Sequence, residues 1–250
     1  MPSFPRLAAI AALLLSPLAV QAQALTVSAA ASLTDAFKVL APQFEASRPG
    51  VTVRLNFAAS GALLQQIRQG APVDVFASAD QETMDRAAAE NLVAASTRRN
   101  FAGNTLVLVG PAQGGVALEG PQDLRGASVR KIAIGKPATV PAGRYTRQAL
   151  ESAGLSAMLA PRLVQADSVR QVLDYVARGE VEAGFVYRTD ASLMADKVRL
   201  VATVGGHAPV SYPVAVVHAS RQQALARDFV AFLGSGDAQQ VMAQFGFAKP

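Results

Sequence analysis

The chain has 250 residues, a formal net charge of +5 and no cysteine. It therefore cannot form a disulfide or a thiolate metal site, and its hydrophobic content of 51% is ample for one large or two modest domains. The basic residues are scattered with little aromatic interleaving, so we do not expect nucleic acid as a partner.

The first residues have the pattern of a secretory signal. Arg6 provides a positive start, the stretch 7–20 is almost wholly apolar, and Ala22 and Ala24 are small residues suited to cleavage. The apolar stretch is shorter than the about 20 residues that a transmembrane helix needs. We therefore expect residues 1–24 to be a signal peptide and the mature protein to lie in the periplasm. Without a cysteine, no N-terminal lipid anchor is expected.

Strand and helix patterns alternate in the first part of the chain. A β-type run at 25–27 precedes a helical pattern over 33–44, and the alternating stretch 51–57 precedes a helix that opens at Ser60. A short strand at 73–76 is then followed by a helix from Asp80. This order predicts a parallel, doubly wound sheet.

A second unit of the same kind begins near residue 103. The run NTLVLV at 104–109 is strongly β-type, and short strand patterns at 132–134, 163–164 and 185–187 alternate with helices over 142–150 and 168–176. These elements predict a second α/β lobe.

The tail contains two further β-type runs and two amphipathic helices. Because residues 25–102 supply only about three strands, we expect the tail to return and complete the first lobe. The predicted fold is thus α/β with two lobes, each a mostly parallel sheet flanked by helices. Lobe 1 is 25–102 plus 208–250, lobe 2 is the insertion 103–207, and two crossing strands join them.

Five turns share one character: a strand ends, small or hydroxyl residues follow, and a helix begins. They are centred on Ser32, Ser60, Ala142, Val169 and Tyr187. The carboxyl ends of parallel strands face the ligand crevice, and unpaired N–H groups at helix starts favour an anion. Small neighbours such as Ala31, Ala59 and Gly143 leave these N–H groups accessible. The sequence therefore predicts an oxyanion site between the lobes.

Each of these residues also has an ordinary structural interpretation. Ser32 and Ser60 fit helix caps, Val169 fits the apolar face of its helix, and Tyr187 fits a buried wall. Asp167 is the one carboxylate near a predicted contact, and we interpret it as a helix cap. A site of donors alone suits a fully deprotonated oxyanion, whereas hydrogen phosphate would also need an acceptor from the protein.

A series of motifs along the chain resembles the periplasmic molybdate-binding proteins of ABC importers, in the type II periplasmic-binding family. The motifs are AAASLTDAF, FAASG, GAPVDVFASAD, GNTLVLV, VPAGRY, SVRQVL, VYRTDA, YPVAVV and the final FGF. The resemblance covers the whole mature chain in order. It implies a two-lobed fold, molybdate or tungstate as ligand, a membrane permease as partner, a monomer, and neither a cofactor nor a bare metal cation.

The same resemblance implies which residues contact the oxyanion. They are Ser32, Ser60, Ala142, Val169 and Tyr187. The serines and the tyrosine would donate through hydroxyl groups, and Ala142 and Val169 through main-chain N–H groups. The chain departs from some members at Ala59, where another serine can occur, and at Arg188 and Thr189, where small residues can follow the tyrosine. These differences leave the preference for molybdate or tungstate open.

Two alternatives remain at this point. A secreted hydrolase would need an activated nucleophile, but His207 and His218 are the only histidines and lie in no recognisable catalytic motif. We therefore expect no enzyme. A binding protein for sulfate, phosphate or an organic anion differs in pocket volume, which the sequence does not give.

Overall fold

The computed structural model describes residues 23–250. Most of the predicted signal peptide, residues 1–22, lies outside this range. Its last two residues, Gln23 and Ala24, belong to the first strand, where they pair with Val51 and Thr52.

Ten strands lie between residues 23 and 250. They are β1 (Gln23–Ala30), β2 (Val51–Ala58), β3 (Val75–Ala77), β4 (Arg99–Asn104), β5 (Leu106–Pro111), β6 (Ile132–Gly135), β7 (Leu163–Ala166), β8 (Ala183–Tyr187), β9 (Val198–Thr203) and β10 (Val210–Val216). They form two five-stranded sheets, ordered β2-β1-β3-β10-β4 and β7-β6-β8-β5-β9. The tail strand β10 therefore returns to the first sheet.

Both sheets are mixed. In each sheet two neighbouring pairs are parallel and two are antiparallel. The antiparallel strands are those that follow a crossing between the sheets, because such a strand does not return through a βαβ connection. The two-lobed α/β fold predicted above is confirmed, with less parallel pairing than expected.

Nine α-helices flank the sheets in the described part of the chain. They are α1 (Thr34–Ala46), α2 (Ser60–Arg68), α3 (Gln81–Ala89), α4 (Pro141–Ser152), α5 (Ser156–Leu159), α6 (Val169–Ala177), α7 (Arg188–Leu193), α8 (Gln223–Leu233) and α9 (Gly236–Gln244). None of these helices combines the length and the apolar character that crossing a bilayer requires.

The tail helix α8 is fixed to the first lobe by aromatic packing. Phe229 of α8 lies 5.0 Å from Phe44 and 6.1 Å from Phe37 of α1, measured between ring centroids, and all three rings are fully buried. Such edge-on aromatic pairs stabilise beyond the area they bury. The rear of the first lobe is thus a packed layer, and the carboxyl ends of its parallel strands are left to face the other lobe.

Candidate functional site

All five residues predicted to bind an anion line one cavity between the two sheets. The lining residues are Ala30, Ala31, Ser32, Ala59, Ser60, Ala79, Val140, Pro141, Ala142, Val169 and Tyr187. The residues up to 79 end or follow strands of the first sheet, and the others end or follow strands of the second. The free volume of the cavity is about 10 Å³, far below the about 300–1,000 Å³ of sites for drug-sized ligands. The cavity therefore suits a small ligand.

Neither serine caps a helix. Ser32 lies in a 3₁₀ turn, Ala31–Leu33, and its Oγ is 3.0 Å from Tyr212 Oη. Ser60 is the first residue of α2, and its Oγ accepts a hydrogen bond from the N–H of Ala79 at 3.0 Å. Since an N–H can only donate, the Ser60 hydroxyl keeps its own proton for another acceptor. The cap interpretation of both serines is wrong.

Tyr187 holds a polar atom without a partner. It is the last residue of β8 and only 1% exposed, and its Oη has no hydrogen-bond partner among residues 23–250. Burial raises the pKa of Tyr187 well above its usual value of 10.0, so this hydroxyl remains a donor. An unpaired buried polar group costs about 1–3 kcal/mol. A ligand acceptor in the cavity would remove that cost.

Ala142 and Val169 contribute through the main chain because of where their helices begin. Ala142 is the second residue of α4, after Pro141, and Val169 is the first residue of α6. The N–H groups of a first helical turn have no partner within the helix, and the helix dipole is positive there. Both helices thus direct donors at the cavity from the second lobe.

The interpretation of Asp167 as a helix cap is wrong. The cap of α6 is Ser168, whose Oγ accepts from the N–H of Gln171 at 3.2 Å. Asp167 is exposed and does not line the cavity. Asp and Ser are about equally good caps, and the extended backbone that a cap needs falls on the serine. No carboxylate is present among the lining residues that the structure describes.

Charged groups lie one layer behind the lining and join the lobes. Arg144 of α4 contacts Asp80, which precedes α3, with Nε to Oδ2 at 2.7 Å, and it also donates to Thr83 Oγ1 at 2.6 Å. Both charged side chains are nearly fully buried. Because the two charges cancel, the pair supports the cavity wall without adding a net charge to the cavity.

Arg170 of α6 forms a second ion-paired connection between the lobes. It pairs with Asp35 of α1 at 2.8 Å and with Asp190 of α7 at 2.5 Å. Burial raises the pKa of the Asp190 carboxyl, and Arg170 counteracts that shift. The arginine therefore links the start of α1, beside Ser32, to the helix that follows Tyr187.

The lobes also touch through their backbones. The N–H of Gly61, the second residue of α2, donates to the carbonyl of Thr139 at 2.9 Å. A Cβ on Gly61 would lie 2.7 Å from that oxygen. Only glycine permits this approach without a shift of the backbone.

The sequence analysis did not find the residues behind the lining. Tyr212, Asn104, Arg170 and the pairing of Arg144 with Asp80 carry no local motif, and Tyr212 is 180 positions from Ser32. No periodicity connects positions that far apart. Within residues 23–250, no group of three or more His, Cys, Asp or Glu side chains could hold a metal ion.

Fold and site together define a binding protein that encloses a small solute between two lobes. The chain belongs to the bacterial extracellular solute-binding proteins, whose family model matches residues 25–248. This membership and the resemblance stated from the motifs agree.

Individual relatives and solved structures are similar to this chain over most of its length. The molybdate-binding protein ModA of Escherichia coli is 38% identical over 232 residues, which are 89% of this chain and 88% of that protein. The solved structure of the periplasmic molybdate-binding protein of Azotobacter vinelandii matches with a TM-score of 0.78 and 27% identity, over 90% of this chain and 99% of that one. The sulfate-binding protein SubI of Mycobacterium tuberculosis matches with a TM-score of 0.79 over 91% of this chain and 87% of that one. At 18% identity it shows the fold alone.

Proposed function

We propose that this protein captures molybdate between its lobes and delivers it to the membrane permease of an ABC importer. The observation that carries the proposal is the cavity itself, which gathers hydroxyl and main-chain donors from both lobes around one space and leaves Tyr187 Oη unpaired. Tungstate has the same charge and shape, so we expect it to bind as well. The relatives named for molybdate binding support the choice of anion.

The donors suffice without a lysine or arginine in contact with the ligand. A hydrogen bond to a charged partner contributes about 1.5–3 kcal/mol, and a helix terminus adds about 0.3–2 kcal/mol. Five contacts together can exceed the about 8 kcal/mol of a micromolar complex, even after the cost of association. We therefore expect tight binding from uncharged groups alone.

The same set of donors gives selectivity. Molybdate is a dianion with four acceptor oxygens and no proton, so every contact in the cavity matches it. Hydrogen phosphate brings a proton that needs an acceptor, and no carboxylate lines the described cavity. Phosphate should therefore bind weakly. We expect sulfate to bind less well than molybdate because it is the smaller tetrahedron and would reach fewer of the donors at once.

Closure of the predicted lobes, 25–102 plus 208–250 against 103–207, would desolvate the anion and present both surfaces to the permease. We propose that the protein works as a periplasmic monomer, with neither cofactor nor nucleic acid. We propose a role in transport rather than catalysis because the family to which the chain belongs consists of extracellular solute-binding proteins. Cleavage of the signal after Ala22 would keep β1 whole, because Gln23 and Ala24 pair with β2.

Calorimetric titration of the purified protein with molybdate, tungstate, sulfate and phosphate tests the proposal. We expect micromolar or tighter dissociation constants for the first two anions and much weaker binding of the others. Equal affinity for sulfate and molybdate would overturn the choice of anion. If none of the four bound, the site itself would be wrong.

A further inference from the structure

Asn104 holds a fixed orientation at the crossing between the lobes. It is the last residue of β4, and its side-chain Oδ1 accepts a hydrogen bond from the N–H of Thr105 at 2.8 Å. Because a backbone N–H can only donate, the atom it reaches must be the amide oxygen. The Nδ2 group therefore points the other way, as a donor.

From Nδ2 the hydrogen bonds run to both lobes. It donates to Thr189 Oγ1 of α7 at 2.9 Å and to Tyr212 Oη of β10 at 3.1 Å. Tyr212 is fully buried, and its one further hydrogen-bond partner in the described chain is Ser32 Oγ, at 3.0 Å. Since Tyr212 Oη accepts from Asn104, its own proton has a partner only if Tyr212 donates to Ser32 Oγ.

The direction of these hydrogen bonds decides whether Ser32 presents a donor or an acceptor to the cavity. Once Ser32 Oγ accepts from Tyr212, its own proton is free for an acceptor in the space that Ser32 lines. If the hydrogen bonds had the opposite direction, Ser32 would donate to Tyr212 and turn a lone pair towards the ligand. A lone pair repels a bare dianion but accepts from an anion that carries a proton.

We infer that Asn104 is a specificity-determining residue that acts through Tyr212, fixing Ser32 as a donor and so favouring fully deprotonated oxyanions over protonated ones. The inference rests on the proposed function. It concerns a residue that does not line the cavity, and it explains why a polar side chain occupies the crossing between the lobes.

The substitution Asn104→Asp tests the direction of these hydrogen bonds, because aspartate has nearly the same shape as asparagine but no side-chain donor. One carboxylate oxygen can still accept from Thr105, but the other now accepts where Nδ2 donated, so Tyr212 turns to it and Ser32 turns to Tyr212. The readout is the ratio of affinities for molybdate and for phosphate, at a pH where phosphate is the singly protonated dianion. Both ligands then carry the same charge, so simple repulsion by Asp leaves the ratio unchanged.

We expect Asn104→Asp to lower the molybdate-to-phosphate ratio by about tenfold or more, the effect of one hydrogen bond to a charged group. Thr189→Val is the matched control, because it removes the other acceptor of Nδ2 and leaves the Tyr212 branch intact. Its ratio should stay near that of the wild type. Thermal melts of each variant confirm that the compared proteins are folded.

A double-mutant cycle with Tyr212→Phe shows whether the effect passes through the tyrosine. Without the Tyr212 hydroxyl, Asn104→Asp should no longer change the ratio. An unchanged ratio in Asn104→Asp alone, or an equal drop with and without Tyr212, would overturn the inference. Should Asn104→Asp not fold, Asn104→Leu takes its place, because it removes the Nδ2 donor and leaves the Tyr212–Ser32 bond free to run in either direction. A wild-type ratio in that variant would overturn the inference, and a lowered ratio supports it. A wild-type protein that bound no oxyanion would instead refute the proposed function.

Discussion

Arg144 and Asp80 form a buried ion pair across the two lobes, with Nη2 and Oδ2 2.5 Å apart and side chains 4% and 5% exposed. Arg144 belongs to α4, whose first turn supplies Ala142, while Asp80 follows Ala79, whose N–H holds Ser60. The pair therefore connects the helix that carries Ala142 to the segment that holds Ser60. Separation of the lobes would break it.

Replacing Arg144 by Met should weaken ligand binding more than it weakens folding. Loss of one partner of a buried pair costs about 3–5 kcal/mol, but in the ligand-free protein separation of the lobes would return Asp80 to water. We expect a loss of more than about a hundredfold in molybdate affinity, measured by calorimetry, with a smaller change in the free energy of unfolding from urea titration.

Arg147→Met is the matched control for this prediction. Arg147 lies on the same helix and pairs with Glu151 at 3.7 Å, but both side chains are more than half exposed. Such surface pairs contribute little, so the affinity should not change. Equal effects of the two substitutions would contradict a role of the Arg144 pair in closure.

Gly61→Ala should obstruct the approach of the lobes. Its Cβ would lie 2.7 Å from Thr139 O, a backbone atom that cannot rotate away. Overpacking of this kind costs about 1–3 kcal/mol, so molybdate affinity should fall several-fold or more. Gly236→Ala, where an added Cβ meets no atom within 4 Å, is the control. Wild-type affinity in Gly61→Ala would mean that the lobes bind the ligand without this contact.

The residues that line the cavity were predictable because their signals are local. Each lies where a strand pattern gives way to a helix pattern, and the sheet topology then brings these turns to one edge. Position 167 shows the limit of this reasoning: two adjacent residues can cap, and only the backbone decides between them.

Contacts distant in sequence were not predictable. Strand β4 reads RNFAGN, with little β propensity, and becomes a strand because β10 pairs with it. Tyr212 of β10 contacts both Asn104 of β4 and Ser32 only after the tail has returned to the first sheet. The predicted list therefore held groups that line the cavity but none of those that orient them.

Tyr187→Phe should reduce affinity without reducing stability. The substitution removes one hydrogen bond to the anion, about 1.5–3 kcal/mol, or about tenfold to a hundredfold in the dissociation constant. It also removes an unpaired buried hydroxyl, so the ligand-free protein should unfold at an equal or higher urea concentration. Tyr175→Phe is the control, since Tyr175 Oη accepts from Gln171 outside the cavity. A lower urea midpoint with unchanged affinity would assign Tyr187 a structural role instead.

The buried tyrosines should make stability fall in alkaline solution. Burial raises the pKa of Tyr187 and of Tyr212 far above the 10.0 of an exposed tyrosine. Above about pH 10 the unfolded chain releases these protons while the folded chain keeps them, so the free energy of unfolding decreases as pH rises. Each tyrosine should contribute about 1.4 kcal/mol per pH unit.

Urea titrations from about pH 9 to about pH 11 measure this slope. Below about pH 10 both tyrosines are protonated in either state, so stability should not depend on them there. In Tyr187→Phe the alkaline slope should be shallower than in the wild type by the share of one tyrosine. The same slope in Tyr187→Phe and in the wild type would show that the Tyr187 hydroxyl ionises equally well in the folded protein. That result would contradict its role as a permanent donor to the anion.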